Sequence, residues 1–331
     1  METSSSLAAS RPSYERTARR IGWADLPADV RRLIEVRVGG DARAEASAGA
    51  GFTPGFAARV HGSGGCWFVK AAGAREAPFA AESYLVEARI NSLLPDAVPA
   101  PKLRWTEHTA DGWVVLGFDA VDGRMPRQPW RADELAAGLR AYAVAAEALT
   151  PAPDALTQAG LDKIAACESD FGFWRKAAGG GVEPAAMPPF VPGRWVESLA
   201  DLEAGWSSAV ARESVLHNDL RADNILIDST GAGWICDWNW ATLGAPWLDL
   251  TVLLAVAFRD GHDADALLAA HPAASGAEPE QIDVALAGFA GMFLDHWAKP
   301  EIPGSPALRS HQRYCGTAVF EWLAARLALT R

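Results

Sequence analysis

At 331 residues the chain is long for a single hydrophobic core, because cores commonly divide beyond about 250–300 residues, so two units are expected. Its formal charge of −11 excludes a sequence-independent grip on nucleic acid, which needs concentrated Lys and Arg, and is compatible with a cationic small partner. Four cysteines without a Cys-x-x-Cys pair and seven histidines without a His-Glu-x-x-His motif exclude a disulfide framework and a structural zinc site, and no apolar run is long enough to span a membrane, so a soluble protein in a reducing cytoplasm is expected.

Residues 1–13 are polar and lack an apolar h-region, so they read as a flexible tail and not as a signal peptide. Arg16 to Val38 reads as helical material packed on the first unit. Next come Gly49-Ala-Gly51-Phe-Thr-Pro-Gly55, an apolar stretch from Phe56 to Val60, a turn at Gly62-Ser-Gly64-Gly65, and a second apolar run from Cys66 to Val69 that ends in Lys70. The order is strand, glycine loop, strand, turn, strand. Glycines at 49, 51 and 55 let main-chain N–H groups approach phosphate oxygens without obstruction by Cβ, and a flexible hairpin tip is the other reading of the same residues. The loop is not Gly-x-x-x-x-Gly-Lys-Ser/Thr, which excludes a Walker-type phosphate loop.

Lys70, placed directly after its apolar run, is the candidate cation for the α and β phosphates of a nucleotide. The segment from Pro78 to Leu94 reads as a helix and offers Glu82 and Glu87 as ion-pair partners for that lysine. Glu87 lies among Leu85, Val86, Ile90, Leu93 and Leu94, spaced to pack one helical face on a sheet. Val98-Pro-Ala-Pro101 is then an extended connector, followed by strands at Lys102–Trp105 and Trp113–Phe118 around an Ala110-Asp-Gly112 turn. Beyond residue 118 the sequence becomes rich in Ala and Leu at helical spacing, at Ala132–Leu149, Asp249–Phe258, Ala264–Ala270, Gln281–Trp297 and Ser310–Leu329. Gly179 to Gly181 and Pro184 to Pro192 mark a long loop between them.

Within this second unit, His217-Asn-Asp219-Leu-Arg221-Ala-Asp-Asn224 places a carboxylate five positions before an amide oxygen, and Asp237 follows thirteen positions later. Moving a phosphoryl group needs hard oxygen ligands for Mg²⁺ and a group that orients the acceptor hydroxyl, and these offsets equal those of the protein-kinase catalytic set. Asp219 is the candidate base, and Asn224 and Asp237 are the candidate metal ligands. Between them, Ile225 to Asp228 and Trp234 to Cys236 read as strands joined by a Gly-containing turn, a hairpin that brings Asn224 and Asp237 to one end. His217 is expected to orient the loop by a hydrogen bond, and Cys236 to be a small buried hydrophobe. Of fourteen tryptophans, Trp195, Trp206, Trp238, Trp240 and Trp247 cluster near this segment; packing is expected for most, with a cation–π face for a cationic ligand as the alternative.

These motifs resemble those of the aminoglycoside phosphotransferase and choline kinase-like family. His217-Asn-Asp219-Leu-Arg-Ala-Asp-Asn224-Ile-Leu and Asp237-Trp238 carry the resemblance, and Leu243-Gly-Ala-Pro-Trp-Leu-Asp249-Leu is similar to the Gly-x-Pro-x-x-Asp-Leu stretch that follows the metal Asp in this group. The resemblance implies an α+β, two-lobed protein-kinase-like fold, with a small antiparallel-sheet N-lobe over residues 14–118 that binds the nucleotide and a mainly helical C-lobe over 119–331. It implies ATP as donor, with GTP also open, and Mg²⁺ held by Asn224 and Asp237. A small-molecule hydroxyl acceptor is implied as the partner: an aminoglycoside, another antibiotic, an amino alcohol, an amino acid or a sugar. It aligns Glu87 as the partner of Lys70, with Glu82 as the alternative, and Gly117-Phe118-Asp119 as the hinge beside the base. Asp249 is implied to be structural. Arg221 stands where many protein kinases direct a lysine at the transferring phosphate; a salt bridge within the loop is its other reading. The long loop at 179–192 is implied to lie beside the acceptor pocket. A protein kinase is disfavoured because Asp237-Trp238-Asn239 replaces Asp-Phe-Gly and no Ala-Pro-Glu follows. A non-catalytic nucleotide-binding module is disfavoured because Lys70, Asp219, Asn224 and Asp237 are all present.

Overall fold

The computed structural model describes residues 9–14, 16–182, 187 and 190–328. The expected tail therefore lies outside the described residues up to position 8. From Ala9 onward the chain is docked, in contrast to the flexible tail expected up to residue 13: Ala9 packs on Tyr314 and Cys315, and Arg11 bonds to Gln128 and pairs with Asp260. Between Arg16 and Val38 only α1, Ala28–Val38, is an α-helix, after a short 3₁₀ turn at Trp23–Asp25. Pro27 explains the late start, since it disfavours helical backbone at the residue before it.

Five antiparallel strands form the first sheet: β1 (Arg43–Ala44), β2 (Phe56–Gly62), β3 (Gly65–Gly73), β4 (Leu103–His108) and β5 (Trp113–Asp119), in the order β1-β2-β3-β5-β4. Because side chains alternate across a strand, Val69, Ala71 and Val115 face α1 with Phe56, Ala58 and Val60, while Ala72, Val114, Leu116 and Phe118 face the opposite helix. That helix is α2, Pro78–Leu93, with Pro78 in its first turn, where the missing N–H costs nothing. Lys70 lies inside β3 and not at its end as expected, because Ala71, Ala72 and Gly73 continue the ladder against Val115, Val114 and Trp113. By the same alternation Lys70 shares its face with Ala72, the face that α2 covers. On α2 the buried positions Tyr84, Glu87, Ala88 and Asn91 recur at the spacing of one helical stripe, whereas Leu85 is exposed.

After Asp119 the chain leaves the sheet for β6 (Gly123–Arg124) and the helices α3 (Ala132–Ala148), α4 (Asp154–Gln158), α5 (Phe173–Ala178), α6 (Val196–Ala204) and α7 (Trp206–Val210). The expected helix at 132–149 is α3, but α4 to α7 carry no clear sequence period because they are short and broken by Gly and Pro. The strands β7 (Ser214–Leu216), β8 (Ile225–Asp228), β9 (Gly233–Ile235) and β10 (Thr242–Gly244) follow, β7 paired with β10 and β8 lying between β6 and β9. The helices α8 (Leu248–Arg259), α9 (Ala264–Ala270), α10 (Pro279–Trp297) and α11 (Leu308–Arg326) complete this part. The architecture is α+β, a small antiparallel sheet above a mainly helical body. One large core fills the helical part and also takes in Ile90, Leu94, Val98 and Ala100, so the end of α2 and its connector anchor the sheet to the helices. No helix of the described residues is long and apolar enough to cross a membrane. Part of the loop expected over residues 179–192 lies outside the described residues.

Glu134, in the first turn of α3, fastens the link between the two parts. Its buried carboxylate accepts from Arg124 at 2.6 Å, from the Arg127 backbone N–H at 2.5 Å and from Arg127 Nε at 2.9 Å. The Arg124 bond first, together with the Arg127 backbone donor and against the penalty of burial, lowers the Glu134 pKa from 4.5 to about 2. A carboxylate held low stabilises the fold above its unfolded pKa and loses that contribution as pH falls through the folded one. Glu134→Gln is therefore expected to cost about 2–3 kcal/mol at pH 7, and the difference from wild type to shrink between pH 4.5 and 2 in denaturant titrations. A difference that stays constant with pH would refute the charged anchor.

Candidate active site

The β8–β9 ladder positions two of the candidate site residues, Asn224 and Asp237. Ile225 and Ile227 are buried in β8, whose register with β9 pairs Ile225 with Ile235 and Ile227 with Gly233. Asp228 closes the turn by accepting from the backbone N–H groups of Thr230 and Ala232. At the open end, Cys236 N–H donates to the Asn224 carbonyl at 2.9 Å, so Asn224 and Asp237 leave the hairpin together, as the sequence leads one to expect. Asp237 and Asn218 both hold left-handed backbone, with φ of 63° and 60°. Such conformations cost non-glycine residues energy and persist where surrounding bonds enforce them.

Those bonds are visible. Asp249, at the start of α8, accepts from His217 N–H and Asn218 N–H at 2.7 Å each, the structural place the resemblance implies for it. Burial pushes its pKa up to about 6 against these donated bonds. His217 is fully buried; its Nδ1 accepts from Asp219 N–H at 3.2 Å and its Nε2 lies 2.7 Å from the Cys236 carbonyl, which fixes the Nε2-protonated tautomer. Burial lowers its pKa to about 4, so the ring is neutral near pH 7 and bridges the loop that carries Asp219 to the strand that carries Asp237.

Lys70 reaches across to the same point. Its Nζ lies 2.8 and 2.7 Å from the two Glu87 carboxylate oxygens and also bonds Asp237. Glu82 is exposed on the opposite side of α2, so the helix phase decides between the two acids in favour of Glu87. Burial lifts Glu87, whereas at Asp237 the Lys70 ammonium outweighs burial and holds the carboxyl below its usual range. Lys70 itself stays protonated, because its two acids overcome the penalty of burying the ammonium.

Asp219 accepts from Arg221 and, at 3.0 Å, from the Asn224 amide, whose Nδ2 also donates to the Asp219 carbonyl at 2.8 Å. Burial pushes Asp219 up to about 7 although Arg221 opposes it. Arg221 is turned toward Asp219 and Asp223, with Nε and Nη2 at 3.0 and 3.1 Å from the Asp223 oxygens, and its guanidinium lies under the Phe52 ring at 5.2 Å. The salt-bridge reading is thus the one its contacts follow. Asp223, which sequence reasoning passed over, is buried and neutralises Arg221; the Arg-x-Asp spacing inside the loop was the available signal.

A cavity of about 300 Å³ opens between the sheet and the β8–β9 hairpin, lined by Gly49, Gly51, Lys70, Glu87, Phe118 and Asp237 among others. Phe118 and Asp119 of the expected Gly117–Asp119 hinge line it and Gly117 does not, and Ala120, Asp223 and Asn239 line it as well. Gly51 has φ +84°, so the backbone there favours glycine, and a Cβ would sit 2.7 Å from Arg20 Nη2, which would have to move aside. Gly55 lies away from the cavity wall: a Cβ there would meet Tyr84 Oη at 3.0 Å and the Ala71 carbonyl at 3.1 Å. Of the expected aromatic cluster, Trp206, Trp238 and Trp247 are buried, while Trp240 is 49% exposed and tilted against Phe79.

The donor chemistry suits a hard divalent cation. Asn224 Oδ1 is buried and has no hydrogen-bond partner among the described residues, because the amide nitrogen takes both bonds to Asp219 and leaves the oxygen free. With the Asp237 carboxylate it makes two protein oxygens, the number Mg²⁺ commonly takes when phosphates and water complete its shell.

No curated protein sequence matches the chain. Solved structures do: the GDP and kanamycin complex of APH(2")-IIia is 15% identical with a TM-score of 0.61, over 92% of this chain and 100% of that one. A thermostable mutant of aminoglycoside phosphotransferase APH(4)-Ia in ternary complex with AMP-PNP and hygromycin B is 14% identical, TM-score 0.56, over 89% and 98% of the two chains. Choline kinase LicA from Streptococcus pneumoniae is 12% identical, TM-score 0.55, over 90% and 100%. These likenesses establish the two-lobed kinase-like fold. At the level of sequence, the profile of the phosphotransferase enzyme family matches residues 52–284, more than half of the chain, and the protein belongs to that family.

Proposed function

We propose that this phosphotransferase moves the γ-phosphoryl group of a nucleoside triphosphate, ATP in the first instance, to a hydroxyl of a small molecule. The observation that carries the proposal is the meeting of a buried Lys70–Glu87 pair with the Asp237 carboxylate on the cavity wall, while Asn224, whose carbonyl accepts from the N–H of Cys236 next to Asp237, keeps a buried side-chain oxygen without a partner among the described residues. Lys70 binds the α and β phosphates, and Glu87 holds its ammonium in place. Asn224 and Asp237 hold Mg²⁺, which when bound neutralises phosphate charge. Gly49 and Gly51 let the loop backbone come close to the phosphates. Asp219 orients the acceptor hydroxyl and takes its proton as the bond from that oxygen to the γ-phosphorus forms and the bond from the γ-phosphorus to the β–γ bridging oxygen breaks, the oxygen leaving with the nucleoside diphosphate. Arg221 holds Asp219 in place. The nucleotides in the relatives' complexes, GDP in one and AMP-PNP in another, support a purine donor and keep GTP as a second candidate beside ATP.

The acceptor class is supported only as widely as the relatives' names reach, with kanamycin, hygromycin B and a choline kinase among them. A net charge of −11 is compatible with a cationic member of that range, an aminoglycoside or a choline-like amino alcohol. The test is nucleoside diphosphate release from ATP and from GTP across aminoglycosides, macrolides, amino alcohols, amino acids and sugars, with Asp219→Asn as the blank. Acceptor-dependent release with at least one amine-bearing alcohol is expected. Nucleotide binding without acceptor-dependent release across the whole panel would instead favour a non-catalytic module.

A further inference from the structure

Four cations line the cavity, and three of them are already matched with acids. Lys70 is shared by Glu87 and Asp237, Arg59 faces Glu45 and Asp122 at 3.5 and 3.7 Å, and Arg124 pairs with Glu134 at 2.6 Å. Arg20 is the fourth. Among the described residues it has no carboxylate within 4.0 Å, its Nε is buried without a hydrogen-bond partner, and its one hydrogen bond runs from Nη2 to the Ala50 carbonyl at 2.8 Å. The position of a Cβ on Gly51 falls 2.7 Å from Arg20 Nη2 and 3.9 Å from Asp237 Oδ2, so the guanidinium lies beneath the glycine loop and beside the metal carboxylate.

The N-terminal segment delivers it there. Thr17 N–H and Thr17 Oγ1 donate to the Gly49 carbonyl at 3.0 and 2.9 Å, and Ser47 Oγ donates to the Ile21 carbonyl at 2.7 Å, so residues 17–21 run alongside the glycine loop. Arg20 therefore does not belong to the sheet that carries Lys70. A half-buried guanidinium that makes no ion pair within 4.0 Å among the described residues, beside an Asp237 already held by Lys70, and that opens on a cavity is a site for an anion, because burying a charge without a bonded counter-charge is costly until one arrives. The other local cations do not supply the deficit. Lys70 has two acids, and Arg221 is neutralised by Asp219 and Asp223.

We infer that Arg20 is a second phosphate-binding residue, contacting the β- or γ-phosphate of the donor from below the glycine loop; this rests on the nucleotide-dependent phosphotransferase reading. Its planar fork suits two phosphate oxygens, which a lysine meets only as a point charge. It also extends the donor site from the glycine loop to residue 20, well before the matched family segment, which begins at 52.

The test compares nucleotides within each protein, so that a general loss of loop order cancels. Affinities of AMP-PNP, ADP and AMP, each with Mg²⁺, and of the guanine analogues, are measured by calorimetry for wild type, Arg20→Gln and Arg20→Lys. The Gln variant keeps an amide donor for the Ala50 carbonyl, and the Lys variant keeps the charge. For the donor base that binds, Arg20→Gln is expected to weaken the triphosphate analogue about tenfold while AMP changes less than about twofold, and Arg20→Lys to recover part of the difference. A parallel fall for all three nucleotides, or no fall, would overturn the phosphate role and leave Arg20 as a strut for the loop. Failure of the wild type to bind any of the nucleotides would instead overturn the donor reading on which the inference rests.

Discussion

Replacing Asp219 with Asn is expected to lower phosphoryl transfer by about 10²–10⁴-fold while Mg²⁺–nucleotide affinity stays within about twofold, as measured by single-turnover transfer and calorimetry. The change keeps the size of the side chain and an oxygen for the Arg221 and Asn224 bonds, so the loop geometry survives. What disappears is the proton acceptor beside the incoming hydroxyl. Binding persists because Asp219 lies off the wall of the nucleotide cavity, whereas Lys70 and Asp237 line it. Transfer at near wild-type rate would remove Asp219 as the base, and a matching loss of nucleotide binding would mean that the substitution disturbed the loop as a whole.

The second large effect is expected at Asp237. Asparagine tolerates left-handed backbone, so Asp237→Asn preserves the φ of 63° and isolates the loss of charge. Transfer is expected to fall at least about 10²-fold, and the dependence of nucleotide affinity on Mg²⁺ to flatten, because one of the two protein oxygens then carries no charge. Lys70 keeps Glu87 as partner, so the fold should hold. The contrast between the two variants is the diagnostic: Asp219→Asn keeps the metal dependence of binding, and Asp237→Asn loses it. A variant at 237 whose nucleotide binding still strengthens with Mg²⁺ as in wild type would move the metal elsewhere.

Much of this site was legible because it is written in short, rigid offsets. The spacing from Asp219 through Asn224 to Asp237 spans one loop and one hairpin, and β8 and β9 form where short apolar runs flank a Gly-containing turn. Lys70 was recognisable from its apolar run, although its strand continues to Gly73. Glu87 and Glu82 were not separable by pattern, since both lie on one helix; the phase of α2 on the sheet settled it, burying position 87 and exposing 82. Helices α4 to α7 escaped notice because each is too short to repeat its own period. Arg20 and Asp223 escaped for a different reason. Arg20 is one arginine in a segment with several, and only the folded path of residues 17–21 along the glycine loop distinguishes it.

The sequence by itself pointed to the reaction class, phosphotransfer, through offsets equal to those of the protein-kinase catalytic set, and the family match agrees with that class. The α+β architecture followed from the resemblance those motifs carry, in agreement with apolar strand candidates before residue 118 and mostly helical spacing after it. Tertiary structure alone decided which charges are matched and which are not. Whether a guanidinium finds a carboxylate depends on which segments fold beside it: Arg221 acquires two acids from its own loop, whereas Arg20 is carried under residues 49–51 and acquires none within 4.0 Å among the described residues. Charge compensation in a buried site is a property of three-dimensional neighbours, and no one-dimensional spacing encodes it.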